Sequence, residues 1–433
     1  MKSKSANYTN RNCKFTSLMA NLLTISRATI LSILGSFLFL GLAQADHLSS
    51  SENKKIVGKI HERTKTFMGN DVGVILAPQE TISLPIHPNA SKYGEYRKQI
   101  ERLIEKTWTL SVIILSDDGI LIDAYDSEYV TDETRLLGFS MSKSITSMAV
   151  GRALCDGYIK SLNDKAGQYD PRIANTLHGE TSIKNLLRMA SGDKNLTKAT
   201  SDDAMERAIS YSGSLISKYW HLHGTPMTVV NWVKKMKPQS VSNSYHYSDL
   251  NTDVLALVVQ SATGMVLSNY IEATMWAEAK TQHEGHLLLD TNGDPMGHGF
   301  LYASRMDWAR LALYASKMLQ SDNCFGDYLR KATSKQISIP KGKAYHGQYG
   351  YQIWVADSNL SKSSVQFAGK YGQRIFIDKA TGLIAVIHGA AHRHKQEEVL
   401  QKIFSKMNKD FPKTKNTSSG CSKTNYKGEC IES

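Results

Sequence analysis

The apolar residues of this chain repeat with two different periods, and where the period changes constrains the fold most. Leu110 to Ala124 reads as a strand hairpin around the Asp117-Asp118-Gly119 turn. Strand-like alternation returns only at Tyr349 to Val355, then at Arg374 to Asp378 and Leu383 to His388, which flank the turn signal Lys379-Ala380-Thr381-Gly382. Residues from about 195 to 285 are helical by pattern, including Asn251 to Gln260 and Asn269 to Glu278. Ser91 to Lys106 puts Tyr96, Ile100, Leu103 and Ile104 on one helix face, Ser304 to Leu319 forms another helix, and Glu397 to Met407 a last one. Strands at both ends with helices between them predict an α+β fold. The expectation is an antiparallel sheet flanked by N- and C-terminal helices, with an all-helical insertion.

The boundaries read as a signal peptide over 1–45, an irregular arm over 46–90, a sheet domain from 91–165 and 286–408, a helical domain over 166–285, and a flexible basic tail over 409–433. A chain of 433 residues, 41% hydrophobic and 21% charged, has ample material for a large core. The leader rests on Lys2, Lys4, Arg11, Lys14 and Arg27 with no acidic residue before Asp46, on the apolar run Ala28 to Leu42, and on the small-x-small site Ala43-Gln44-Ala45. The run is short for a membrane span of ~20 residues, so no stable span is expected once it is removed. The alternatives are an uncleaved anchor and a start at Met19. Periplasmic or secreted location follows.

Those five basic residues, with the net four of the tail from Lys402, account for nine of the formal +12, leaving the body at +3. The basic stripe with interleaved aromatics that nucleic-acid binding needs is missing. Cys421 and Cys430 flank a polar loop and could close a small disulfide, whereas Cys155, on an apolar helix face, reads as a buried thiol. The Cys and His spacings do not resemble a zinc site.

Chemistry concentrates at Phe139-Ser140-Met141-Ser142-Lys143. In a helix, Ser140 and Lys143 share a face, so the amine can take the hydroxyl proton if it is desolvated or flanked by positive charge. Ser140 falls in the first turn, where unpaired N–H groups favour developing negative charge. The same spacing occurs at Ser51/Lys54, Ser191/Lys194 and Ser338/Lys341, but only Ser140 follows a strand hairpin and opens an apolar, small-residue helix. Two further stretches stand out: His246-Tyr247-Ser248-Asp249 ahead of a helix start, and Gly369-Lys370-Tyr371-Gly372-Gln373 ahead of a strand. A phenol beside two ammonium groups is expected to have a lowered pKa and to shuttle protons.

In this order the three stretches resemble the serine β-lactamase and penicillin-binding-protein superfamily, whose motifs run Ser-x-x-Lys, Tyr-x-Asn, then Lys-Thr-Gly or His-x-Gly. The likeness covers about 110 to 405 and is nearest the class C-like esterases and 6-aminohexanoate-dimer hydrolases. Ser182-Ile183-Lys184-Asn185-Leu186-Leu187-Arg188-Met189-Ala190-Ser191-Gly192 and Gly297-His298-Gly299 followed by Ser304-Arg305-Met306-Asp307-Trp308-Ala309-Arg310 resemble two supporting segments of that family. The resemblance implies Ser140 as nucleophile, Lys143 as its activator and Tyr247 as the second acid/base. It implies an oxyanion hole from the N–H groups of Ser140 and Gln373, and substrate-binding positions at Asp249, Lys370, Tyr371 and Gly372. It calls for no cofactor and no metal, and its partner is a small-molecule or short peptide-like substrate.

Two positions depart from the pattern. Asp249 stands where β-lactamases carry Asn, and bulky Tyr371 where Thr is usual. Both point to an ester or linear amide hydrolase. The alternatives are a D-Ala-D-Ala carboxypeptidase or β-lactamase, and a non-catalytic binding or sensing module.

Overall fold

The computed structural model describes residues 72–193, 228–236, 244–290, 292–340, 347–355, 359–390 and 394–412, with two short strands at 423–424 and 430–432. All fall in one of the two compact units of the chain, Ser50–Asn195 with Thr228–Ser433. The expected leader and its cleavage site lie outside the described residues.

In chain order the strands are β1 (Val72–Ile75), β2 (Thr109–Ser116), β3 (Gly119–Tyr125), β4 (Arg135–Leu137), β5 (Gly285–Leu288), β6 (Leu301–Ser304), β7 (Ile337–Ser338), β8 (Gln348–Tyr349), β9 (Trp354–Val355), β10 (Ser364–Gly369), β11 (Gln373–Asp378), β12 (Ile384–Gly389), β13 (Lys423–Thr424) and β14 (Cys430–Glu432). The α-helices are α1 (Gly94–Lys106), α2 (Met141–Cys155), α3 (Ile183–Leu187), α4 (Val229–Lys234), α5 (Asp249–Thr263), α6 (Leu267–Ile271), α7 (Arg305–Leu319), α8 (Cys324–Ala332) and α9 (His394–Asp410).

The main sheet is antiparallel in the order β3-β2-β12-β11-β10-β9-β8-β7. Its centre joins the two ends of the chain: Ile113 of β2 pairs with Val386 of β12, and Ile375 of β11 with Val386 on the other side. One face is covered by α1 and α9. There Ile100, Ile104, Leu400, Ile403, Phe404 and Met407 close a core over Val112, Ile114, Phe376, Ala385 and Ile387. Burying each such aliphatic or aromatic side chain contributes ~1.5–3 kcal/mol, so the terminal helices are fastened chiefly by this face. The other face carries α2 against β10 and β11, and α7 against β12, β2 and β11. From Ala166 to Trp276 the described residues form only helices and turns, apart from the bridge of Ser182 to Lys165. The expected α+β architecture is therefore present.

Several expectations need correction. The arm is not wholly irregular. Val72–Ile75 pairs with β5, as Val72 to Leu288, because its alternate residues Gly73 and Ile75 turn into the core. It completes a second sheet, β1-β5-β6-β4, that the sequence pattern missed. Tyr349 to Val355 is not one strand. The chain turns at 350–353, where the Gly350 N–H bonds the Ile353 carbonyl and a Cβ on Gly350 would lie 1.8 Å from the Ala332 carbonyl. In the tail, α9 runs on to Asp410 and β13 pairs with β14.

Cys155 is not a free thiol. It is bonded to Cys324, with Cα atoms 5.7 Å apart, because the end of α2 packs on the start of α8. The pairing of Cys421 with Cys430 lies outside the described residues. Among the described residues no single helix is long and apolar enough to cross a membrane. Only α5 and Leu267–Trp276 meet that test, as a pair bent by 78°.

Candidate active site

The site begins at the turn from β4 into α2. Phe139 there has φ +47°, a left-handed conformation that costs a bulky residue ~1–2 kcal/mol. Ser140 follows as N-cap of α2, yet its hydroxyl makes no capping bond and so is not consumed by the helix. The helix behind it is buried on nearly every side. Its hydroxyls are spent on crossing bonds: Ser144 donates to the Gln352 carbonyl at 2.8 Å, Ser147 to the Tyr351 carbonyl at 2.8 Å, and Thr146 to the Gly297 carbonyl at 3.0 Å. A Cβ on Gly151 would meet the Tyr328 ring at 2.3 Å, so the small residues do serve close packing.

Lys143 is buried, with its side chain 1% exposed. An ammonium group has three donors. Here they meet Asp249 Oδ1 at 2.6 Å, the His298 carbonyl at 2.7 Å and Ser140 Oγ at 3.2 Å. Burial alone pushes this amine down, but the charge of Asp249, with smaller help from Tyr247 and Asp253, more than reverses it. Lys143 therefore sits above the ordinary lysine range. Asp249 is the mirror case. Burial raises its carboxyl, while the charge and hydrogen bond of Lys143 pull it below the ordinary aspartate range.

Tyr247 is set by the segment after α3. The His246 N–H donates to the Met189 carbonyl at 2.8 Å, and the Ser248 N–H reaches Met189 Sδ at 3.5 Å. The phenol shares hydrogen bonds with both Ser140 and Lys143, and the Lys143 ammonium lies 5.1 Å from its ring centre. Its other side stacks on Trp354, with centroids 5.8 Å apart. The lowered pKa expected for Tyr247 is not what the site produces. Burial raises it, and Asp249 adds to that, outweighing the downward pull of Lys143 and the hydrogen bonds. The carboxylate neutralises the ammonium that was to have acidified the phenol.

The third stretch forms the bend between β10 and β11. Lys370 comes within electrostatic reach of Asp249 and Lys143, and burial with the Lys143 charge brings it down to about 8 despite Asp249. Tyr371 takes φ +59° and sets its ring edge-on to Phe139 at 5.1 Å, walling the nucleophile turn. Gln373 is corrected as an oxyanion donor: its N–H bonds the Lys370 carbonyl and closes the bend. Gly372, at φ +85°, serves that same bend. Gly369 is the glycine beside the nucleophile. A Cβ there would lie 2.3 Å from the Gly138 carbonyl and 3.2 Å from Phe139 Cβ.

Ser140, Lys143, Tyr247 and Asp249 thus meet at one place, with Lys370 beside them. Sequence reasoning missed Asp253 and the role of His298. Asp253 lies four residues after Asp249 on one face of α5, a spacing that could have flagged it. His298 was visible only as part of Gly-His-Gly. Among the described residues, no group of three or more His, Cys, Asp or Glu could hold a metal ion.

Fold and site together define a class: hydrolases of mixed helix and antiparallel sheet in which a Ser-x-x-Lys helix start faces a tyrosine. The beta-lactamase family model matches residues 100–399, and the chain belongs to that family. It is 22% identical over 301 residues to the 6-aminohexanoate-dimer hydrolase of Paenarthrobacter ureafaciens, covering 66% of this chain and 74% of that one. In fold it is similar to a Bacillus anthracis protein assigned as a 6-aminohexanoate-dimer hydrolase, with TM-score 0.67, 14% identity, and coverage of 82% of this chain and 95% of that one. It is also similar to EstCE1, a hydrolase with promiscuous acyltransferase activity, with TM-score 0.54, 14% identity, and coverage of 73% and 98%. The chain is a hydrolase of the beta-lactamase family.

Proposed function

We propose that this chain is a serine hydrolase that cleaves an ester or a linear amide through an acyl-enzyme on Ser140. The observation that carries the reading is the convergence of the Ser140 hydroxyl, the Lys143 amine and the Tyr247 phenol, from segments far apart in sequence, within one hydrogen-bonded cluster.

Lys143 rests as an ammonium with its donors engaged, so it must first pass a proton to Asp249, 2.6 Å away, before it can accept one from Ser140. The Ser140 oxygen then bonds the acyl carbon. The oxyanion forms against the Ser140 N–H at the start of the helix. Tyr247, kept neutral by burial, suits protonation of the leaving group. Returning that proton lets it activate the water that frees the acyl group.

Asp249 also bears on substrate choice. Two unopposed ammonium groups would draw an anionic β-lactam, but Asp249 offsets Lys143 and also attracts Lys370, which weakens that pull. That favours uncharged esters and linear amides. A panel of p-nitrophenyl esters, linear amides, D-Ala-D-Ala peptides and a chromogenic cephalosporin tests this, with Ser140→Ala as control. Ester turnover that vanishes in Ser140→Ala supports the reading. Unchanged turnover in that variant defeats it, and stable labelling by a fluorescent penicillin favours the carboxypeptidase alternative. We also propose export to an oxidising compartment, supported by the Cys155–Cys324 disulfide. Fractionation and the intact mass of the mature chain test it.

A further inference from the structure

Lys143 cannot act as a base until its proton has somewhere to go, and the residues behind Asp249 bear on that question. His298 lies between β5 and β6 in the loop that reaches α2 and α5. It is buried and clamped twice by Asp253. Its backbone N–H donates to Asp253 Oδ1 at 3.1 Å, and its ring Nδ1 lies 2.8 Å from both Asp253 oxygens. A carboxylate only accepts, so Nδ1 carries the ring proton. The other nitrogen, Nε2, is buried without a hydrogen-bond partner and points at Asp249 Oδ2, 3.9 Å away. In a neutral ring that nitrogen is a lone pair facing a carboxylate, two acceptors opposed in a place from which water is excluded. One proton on the Asp249 carboxyl turns this opposition into an acid facing a base.

We propose that His298, oriented by Asp253, is a positioning residue that makes Asp249 able to take the Lys143 proton, and so lets Lys143 act as base toward Ser140. The inference rests on the serine-hydrolase reading given above. In the step, one Nζ–H bond breaks and one O–H bond forms on Asp249. The freed Nζ lone pair then takes the Ser140 proton as the serine oxygen bonds the acyl carbon. A protonated His298 blocks the first move, because an imidazolium stabilises Asp249 as the carboxylate. The charged groups facing the ring are Asp249 and Asp253 from α5 and Lys143 from α2, whose ammonium holds the His298 carbonyl. The Phe300 ring packs edge-on at 5.1 Å from the following turn. Lys370 and Tyr247 act on it through Asp249.

The test uses the full-length mature protein and a fluorophosphonate, which reads Ser140 nucleophilicity whatever the true substrate is. Rates of labelling, followed by intact mass across pH, are compared for the parent, His298→Asn and Asp253→Asn. The expected result is a ~100-fold slower labelling in His298→Asn, with loss of the acidic limb of the parent's pH profile. Asp253→Asn keeps the ring but removes the carboxylate charge facing Nδ1, and should displace that limb with a smaller loss. The double variant should be no slower than His298→Asn, since both act on one device. A pH profile in Asp253→Asn superimposable on the parent's overturns the proposal, even if His298→Asn fails to fold. Labelling of the parent with no change of profile in either variant defeats this inference and leaves the serine-hydrolase reading standing. No labelling of the parent, or labelling that survives Ser140→Ala, defeats both.

Discussion

Replacing Asp249 by Asn keeps the side chain's shape and one oxygen, so what is lost is a charge 2.6 Å from the Lys143 ammonium. At an effective dielectric near 20, two unit charges at that distance attract by about 6 kcal/mol. Desolvation cancels part of this, and truncating one member of a buried pair typically costs ~3–5 kcal/mol. The amide retains a hydrogen bond, which places the expected loss near the lower end, ~3 kcal/mol.

The sign with pH follows from the two shifts. Lys143 sits above its ordinary 10.5, so its contribution is complete below that value and fades as pH rises through the folded value. Asp249 sits below its ordinary 3.8, so its contribution is complete above that value and fades as pH falls through the folded one. The parent's pair is therefore complete over roughly pH 5 to 9, while Lys143 in the variant, pushed down by burial without Asp249, makes the deficit shrink toward the alkaline end. At ~2 °C per kcal/mol for a chain of this size, Asp249→Asn should melt about 6 °C below the parent. Scanning calorimetry at several pH values measures it. Ester turnover and acylation by a chromogenic cephalosporin should both fall, by ~100-fold, because a carboxamide cannot take the Lys143 proton. A variant melting within ~1 °C of the parent, or with a deficit that climbs steadily between about pH 5 and 9, would refute the reasoning.

Other outcomes follow from the same geometry. Tyr247→Phe should lower ester turnover by ~100-fold or more while Ser140 still labels, which burst kinetics would resolve. Lys370 has its pKa depressed to about 8, so its folded state resists the charge below that pH and stability should rise between about 8 and 10.5. Lys370→Met should therefore stabilise the fold at pH 7, by up to ~3 kcal/mol, with the gain shrinking toward pH 10 in urea titrations. Cys155→Ser, which opens a link spanning 169 residues of sequence, should cost ~2–4 kcal/mol in equilibrium unfolding. Glu397→Ala leaves the buried Arg374, which it grips at 2.7 and 2.8 Å, without its counter-charge, and Arg374 also braces the Gly369 and Gln373 carbonyls. That variant should lose ~3–5 kcal/mol by thermal melt and weaken turnover through the bend that carries Lys370.

Much of this protein is written locally. The hairpin of β2 and β3, the capped start of α3 at Ser182 and the amphipathic α1 are each specified by neighbours within a few residues, through turn chemistry, capping and apolar spacing. The Ser-x-x-Lys spacing likewise fixed that a hydroxyl and an amine would share a face of α2. None of this depends on the rest of the chain.

What the tertiary structure decided are the quantities that depend on distant partners. β1 was invisible because a four-residue strand becomes one only when β5 lies beside it. The disulfide of Cys155 needed α8 to arrive at the end of α2. Proton affinities are of the same kind, since electrostatic energy depends on distance and burial and not on order along the chain. From sequence, Tyr247 beside two lysines should have been acidified. In the fold, burial raises the phenol and Asp249, 2.6 Å from Lys143, adds to that, so the phenol is raised instead. Sequence by itself determined which groups this site contains. Only their folded separation decided which of them holds the proton.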